Sequence, residues 1–141
     1  MTEALPQPTS NAVPLPANEA ERLAALRRYH ILDTPPETAF DRITTLAARL
    51  FDVPIALISL VDDSRAWFKS CYGFDLSQVQ RDATICSFAL LYNDLLVVPD
   101  AQLDDRFSCN PFVQSDPGLR FYAGAPLITQ DGFNLGTLCL L

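Results

Sequence analysis

Residues 120–141, RFYAGAPLITQDGFNLGTLCLL, decide the fold. Two apolar runs flank Asp131-Gly132. Asp-Gly in that setting is the strongest short-range hairpin signal, because the favoured two-residue turn needs φ > 0 at both central positions. Beyond Phe121 the only charge is Asp131, inside the turn itself. Strands this apolar belong in the middle of a sheet, buried on both faces. Leu138, Leu140 and Leu141 are therefore expected to need cover, from the N-terminal helices or from a second subunit.

Upstream, the pattern alternates between helical and extended periods. Residues 1–17 contain Pro6, Pro8, Pro14 and Pro16 and read as a flexible Pro-rich leader. Asn18 with Glu21 has the form of a capping box opening a helix over 19–29. Leu23 and Leu26, with Ala20 and Ala24, give that helix a narrow apolar stripe, which fits packing on the sheet or on a second subunit. Thr34, Pro35 and Glu37 form a second start signal. Phe40, Ile43, Leu46, Ala47 and Leu50 then recur at helical spacing as one apolar face, and Pro54 ends the helix.

Residues 55–61 are a β-rich strand followed by the turn Asp62-Asp63-Ser64. Over 65–72, Arg65, Trp67 and Lys69 alternate with Ala66, Phe68 and Ser70, predicting a hairpin with the Phe68 side inward. Beyond Gly73 come a polar loop over 76–82, a short apolar helix over 83–91, and a strand over 95–98 closed by Pro99-Asp100. Residues 102–114 read as a long loop or a short broken helix. The sum is an α+β domain with an antiparallel sheet and no internal repeat.

A chain of 141 residues suits one domain with one core, and 49% hydrophobic content excludes wholesale disorder. The net charge of −7, with basic residues scattered, argues against nucleic acid and anionic membrane as partners. The N-terminus lacks the basic and apolar segments of a secretory signal, and no apolar run is long enough to cross a bilayer. Cys71, Cys86, Cys109 and Cys139 show no C-x-x-C spacing, and His30 is the single histidine, so no metal site is expected. A cytoplasmic location with reduced thiols follows as the expectation.

The phrases ERLAALRRYHILDTPPETAFDRITTLAARLFDVPIALISLVD, RAWFKS, VVPDAQLDDRF and RFYAGAPLITQDGFNLGTLCLL resemble the GAF domain of bacterial signalling proteins, from about Glu19 to the last residue. The resemblance implies a GAF (PAS-like) fold. Its central antiparallel sheet is five- to six-stranded, with N-terminal helices on one face and a pocket-forming helix and loops on the other. Members of this family usually continue past the final strand into a helix beside the N-terminal one, so residues 18–141 resemble a GAF domain lacking that C-terminal helix.

Mapped onto this sequence, the family's pocket nominates Phe68, Ser70, Cys86, Phe88, Arg106, Phe107, Phe112, Phe121 and Ala123 as ligand-binding residues. The aromatic members equally suit a filled core. Arg106 suits a ligand anion, or Asp104 or Asp105 at the surface. Cys86 is followed by Ser87 rather than the His of bilin-binding relatives, and His30 lies outside the expected pocket, so neither bilin nor haem is expected. The resemblance implies no cofactor.

No Ser/His/Asp arrangement, phosphate loop or HExxH motif is present, and Asp62-Asp63 serves a turn. A non-catalytic sensory or regulatory domain is the leading expectation. It would bind a small molecule or partner and couple it to an output, a histidine kinase or diguanylate cyclase, elsewhere; homodimerisation through the terminal helices accompanies it. The alternatives are a thiol-dependent free methionine-R-sulfoxide reductase using Cys86 and Cys109, and a structural dimerisation module without ligand.

Overall fold

The computed structural model describes residues 14–115 and 118–141; most of the expected Pro-rich leader lies outside the described residues. Helices α1 (Glu19–Arg28) and α2 (Thr38–Leu50) precede strands β1 (Ala56–Val61), β2 (Arg65–Tyr72) and β3 (Gln78–Gln80). Two 3-10 segments (Arg81–Ala83 and Ile85–Leu91) lead to β4 (Leu96–Val98). A 3-10 turn (Ala101–Leu103) and the one-turn helix α3 (Pro111–Gln114) precede β5 (Tyr122–Ile128) and β6 (Asn134–Leu140). The strands form one six-stranded sheet in the order β3-β2-β1-β6-β5-β4, with every pairing antiparallel.

The terminal hairpin stands where its composition placed it, with β6 between β1 and β5 at the sheet centre. Its turn differs from the two-residue form. Gly132 alone takes positive φ, at +92°, while the Thr129 N–H bonds the Phe133 carbonyl and the Thr129 hydroxyl bonds the Asp131 carboxylate. Asp131 therefore acts as an acceptor inside a longer loop closed by a glycine. Midway along β6, Gly136 lies so close to β1 that a Cβ there would meet the Ser59 carbonyl oxygen at 1.9 Å. Only glycine fits this crossing.

Each strand divides its residues between a helix-covered face and an opposite face. Cross-strand partners share a face, so Leu57, Cys71 and Cys139 lie on one side, while Ala56, Tyr72 and Leu140 lie on the other. The opposite-face cluster gathers Leu57, Val61, Phe68, Ile85, Val98, Phe107 and Tyr122. The helix side holds Leu26 with Leu60 and Trp67, and Ala47 and Ala48 with Ala56.

The alternation expected along β2 breaks at a β-bulge. Ser59 pairs with Phe68 and Ile58 with Ser70, leaving Lys69 without an opposite residue. A bulge sends two successive side chains to one side. Phe68 therefore faces the core away from the helices, as expected. Lys69 bonds Thr34 and the Pro35 carbonyl, and Ser70 bonds Asp41 and Thr44, all on the helix side.

Neither expected capping box forms. Asn18 makes no side-chain cap bond, and α2 starts at Thr38 because Pro35 precedes Pro36, which bars it from helical geometry. Thr34 and Glu37 instead receive the Lys69 ammonium. The buried face of α2 is Thr44, Ala47 and Ala48, small residues that let the helix approach the sheet; Ile43, Leu46 and Leu50, expected to face inward, are exposed. Leu140 packs against the alanine cluster, Leu141 joins the core of the opposite face, and Leu138 is only partly covered. The polar stretch 76–82 contributes the edge strand β3, and the expected helix over 83–91 is a 3-10 segment.

On α1 the apolar stripe is interrupted by Arg22, only 1% exposed and inserted against the sheet. Its guanidinium donates to the Val61 carbonyl at 2.7 Å and the Asn134 carbonyl at 3.3 Å, so it joins the ends of β1 and β6. Glu19 accepts from Arg22 at 3.0 Å and also pairs with Arg81, whose guanidinium bonds the Asp62 carbonyl. Burial pushes the Glu19 carboxyl up, but the bonds and charges of Arg81 and Arg22 outweigh it, and its pKa lies below the ordinary 4.5. A carboxyl depressed in the folded state contributes stability above its unfolded pKa and loses it as pH falls through the folded value. Glu19→Gln is expected to cost about 2 kcal/mol near pH 7, less than a fully buried pair because Glu19 keeps part of its surface in water. The deficit is expected to shrink below about pH 4. Urea melts across pH check both.

Candidate functional site

On the face opposite the helices a cavity of about 640 Å³ opens, within the range that holds small-molecule ligands. Its floor is the sheet, through Leu57 of β1, Phe68 of β2 and Tyr122 of β5. One wall is the 3-10 region, through Ala83, Thr84, Ile85 and Cys86. The other comes from the segment around α3 and the approach to β5, through Phe112, Leu119 and Phe121. Phe74 meets Phe68 edge-to-face at 5.8 Å and closes a further side.

The polar groups at this surface are mostly engaged within the protein. Asn110 caps α3 by accepting from the Phe112 N–H at 2.8 Å, and its amide donates to the Ala83 carbonyl at 2.9 Å, joining the two walls. Thr84 accepts from the Cys86 N–H at 3.2 Å, and Arg120 pairs with Asp100 at 3.4 Å. The cavity therefore presents apolar surface, with Arg120 at its rim. Buried beneath it, the hydroxyls of Ser59, Tyr122 and Thr137 have no hydrogen-bond partner among the described residues. The Tyr122 ring lies along its own strand over Gly124, where a Cβ would meet the phenol oxygen at 2.4 Å.

Of the residues nominated from the sequence, Phe68, Cys86, Phe112 and Phe121 line the cavity. Ser70 is turned to the helix side by the bulge and is held by the Asp41 carboxylate at 2.6 Å. Ala123 pairs with Leu140 and shares that residue's helix-side face. Phe107 is core and meets Phe88 edge-to-face at 4.9 Å. Arg106 bonds Asp104 at 2.8 Å and stacks over Phe107, so its charge is engaged at the surface. Leu57, Ile85, Leu119 and Tyr122 were not nominated. Of these, only Tyr122 carried a legible signal, a strand Tyr two residues before a Gly.

The cysteines also sort by position. Cys109 is exposed, whereas Cys86 is buried with its sulfur 3.5 Å from that of Cys139. Among the described residues no group of three or more His, Cys, Asp and Glu side chains could hold a metal. No helix among them is long and apolar enough to cross a membrane.

The GAF domain family model matches residues 35–141. The chain belongs to the GAF domain family. A curated relative, a cyclic di-GMP phosphodiesterase of Pseudomonas aeruginosa, is 42% identical over 128 residues, covering 91% of this chain and 22% of that protein. This GAF domain thus spans about a fifth of that relative's length. The GAF domain of nlh2 from A. aeolicus superposes with a TM-score of 0.58 at 16% identity, over 87% of this chain and 78% of that one. A type II free methionine-R-sulfoxide reductase of Thermoplasma acidophilum gives 0.57 at 13% identity, over 82% and 75%. These structural likenesses establish the fold alone.

The division of β2 between faces is testable. Ser70→Ala is expected to cost about 1–2 kcal/mol through its lost buried hydrogen bonds while leaving the cavity's capacity for an apolar dye such as ANS unchanged. Phe112→Ala is expected to alter dye binding. Urea melts and dye titrations of the two variants check it.

Proposed function

We propose that this GAF domain is a non-catalytic sensory or regulatory module that binds a predominantly apolar small molecule and couples it to a signalling output elsewhere. The observation that carries the reading is the link between the cavity wall and α1. Arg81 begins the 3-10 region that leads into the wall residues Ala83 to Cys86, and its carbonyl accepts the Ser87 hydroxyl. Its guanidinium pairs with Glu19 of α1. A ligand that shifts this wall changes the strain on α1 through one ion pair.

The 42% identical relative, a cyclic di-GMP phosphodiesterase, supports an output in cyclic di-GMP signalling, the field of the diguanylate cyclase among the two outputs that the family resemblance implied. Homodimerisation through the helices belongs to the same proposal, since Ile43, Leu46 and Leu50 form an exposed apolar row on α2. Sedimentation equilibrium checks it: dimers that Leu46→Glu dissociates support it, and a monomeric parent chain rejects it.

A panel of uncharged apolar compounds is expected to contain ligands that raise Tm. Binding at a hundredfold excess over Kd adds about 2.7 kcal/mol. Ile85→Trp, which fills the cavity, is expected to abolish the shift, and hydrogen exchange in α1 is expected to change on binding in the parent chain but not in Arg81→Gln. No thermal shift across the panel rejects the reading. The thiol-enzyme alternative predicts turnover of free methionine sulfoxide that Cys109→Ser abolishes.

A further inference from the structure

Cys86 lines the cavity, and its sulfur lies 3.5 Å from that of Cys139 on the central strand β6. Cys86 is only 2% exposed, but it stands in the cavity wall, whereas Cys139 is fully buried and does not line the cavity, so Cys86 is the one of the two that a molecule in the cavity can reach. Both thiols are free. Three buried hydroxyls without partners, those of Ser59, Tyr122 and Thr137, lie on this face of the sheet, and those of Tyr122 and Thr137 stand beside Cys86. Buried hydroxyls without partners call for an explanation, and a group that gains negative charge in their midst supplies one.

We propose that Cys86 and Cys139 form a reversible dithiol–disulfide site, oxidised by uncharged hydroperoxides that enter the cavity. It rests on the geometry of the cavity wall, whether or not the cavity also senses an apolar ligand.

The Cys86 thiolate attacks the distal oxygen of the hydroperoxide. The O–O bond breaks, an alcohol or water leaves with a proton, and Cys86 becomes a sulfenic acid. The Cys139 sulfur then attacks the Cys86 sulfur; the S–S bond forms, the S–O bond breaks, and the departing hydroxide takes the Cys139 proton as water. Two electrons pass from the sulfurs to the peroxide, and a dithiol reductant returns them. Bonding requires the sulfurs to close by about 1.5 Å, to the usual 2.05 Å. That motion falls on the 3-10 segment Ile85–Leu91, because β6 is paired on both sides. The Cys139 thiol beside it, first, and then the Thr84 side chain hold the Cys86 pKa below the ordinary thiol range against the effect of burial. Cys139 is correspondingly pushed well up.

The remaining thiols are unsuited. Cys71 shares the sheet face, but Leu57 stands between it and Cys139, placing the two cysteines two strands or about 10 Å apart, beyond disulfide reach. Burial, with the Asp41 charge second, pushes its pKa up to about 11. Cys109 is exposed, whereas Cys86 and Cys139 are both buried.

The test treats the reduced full chain with tert-butyl hydroperoxide and maps its peptides by mass spectrometry without reduction. The expected product links the Cys86 and Cys139 peptides within one chain and is undone by dithiothreitol. Cys86 is expected to react about tenfold faster than Cys71. Cys139→Ser is expected to accumulate a Cys86 sulfenic acid that dimedone labels, and Cys86→Ser to lose both products. The map of the parent chain decides the matter even where a variant fails to fold. Oxidation confined to Cys109 or Cys71, or a link between chains through Cys109, overturns the proposal.

Discussion

The Arg22 guanidinium, buried between the ends of β1 and β6 and neutralised by Glu19, is the constraint around which the two sides of the sheet are organised. A buried guanidinium is tolerated only when its donors are satisfied and its charge is balanced. Here two strand-end carbonyls and one carboxylate do this, so α1 cannot shift along the sheet without exposing an unpaired charge. The same carboxylate holds Arg81, from which the chain enters the cavity wall. The helix layer, the sheet centre and the wall thus share one electrostatic joint, and the joint lies between the cavity and the element best placed to transmit a change.

The cavity has a complementary logic. Its polar neighbours are spent on holding the walls together, Asn110 most plainly, because it caps α3 and ties that turn to Ala83. What remains facing the space is mostly aliphatic and aromatic surface, with one thiol in the wall and Arg120 at the rim. Below lie three hydroxyls without hydrogen-bond partners among the described residues, on the same sheet face as two thiols that bond each other. Burial of that kind costs stability, and it stands next to two thiols whose protonation the surroundings shift in opposite directions, Cys86 down and Cys139 up.

Composition and turn chemistry made the architecture legible. The charge-free hairpin placed itself at the sheet centre, since a strand apolar on both faces has no other home, and the strand over 65–72 matched its observed span. The side-chain faces were harder to read. Strict alternation put Ser70 beside Phe68, and a single unpaired residue, Lys69, reversed it. A bulge leaves almost no trace in the sequence, because it arises when one strand must accommodate the ammonium of Lys69 beneath Thr34 and Pro35 while its partner runs straight. The helical face of α2 misled for a similar reason: apolar periodicity selects the largest side chains, whereas close helix–sheet approach selected Ala47 and Ala48.

By itself, the sequence determined the class of fold, the central strand and most of the elements, because periodicity, turn residues and apolar content act locally; the cavity residues Phe68, Cys86, Phe112 and Phe121 were reached only through the family resemblance. Only the tertiary structure decided which thiols are neighbours. Cys86 and Cys139 are separated by 53 positions in the chain, and their approach depends on a 3-10 segment folding back onto the central strand β6. It likewise decided that Arg22 would be buried and that Arg106 would turn outward to Asp104. A charge is placed by the partners that can balance it, and those partners are brought together only when distant segments pack.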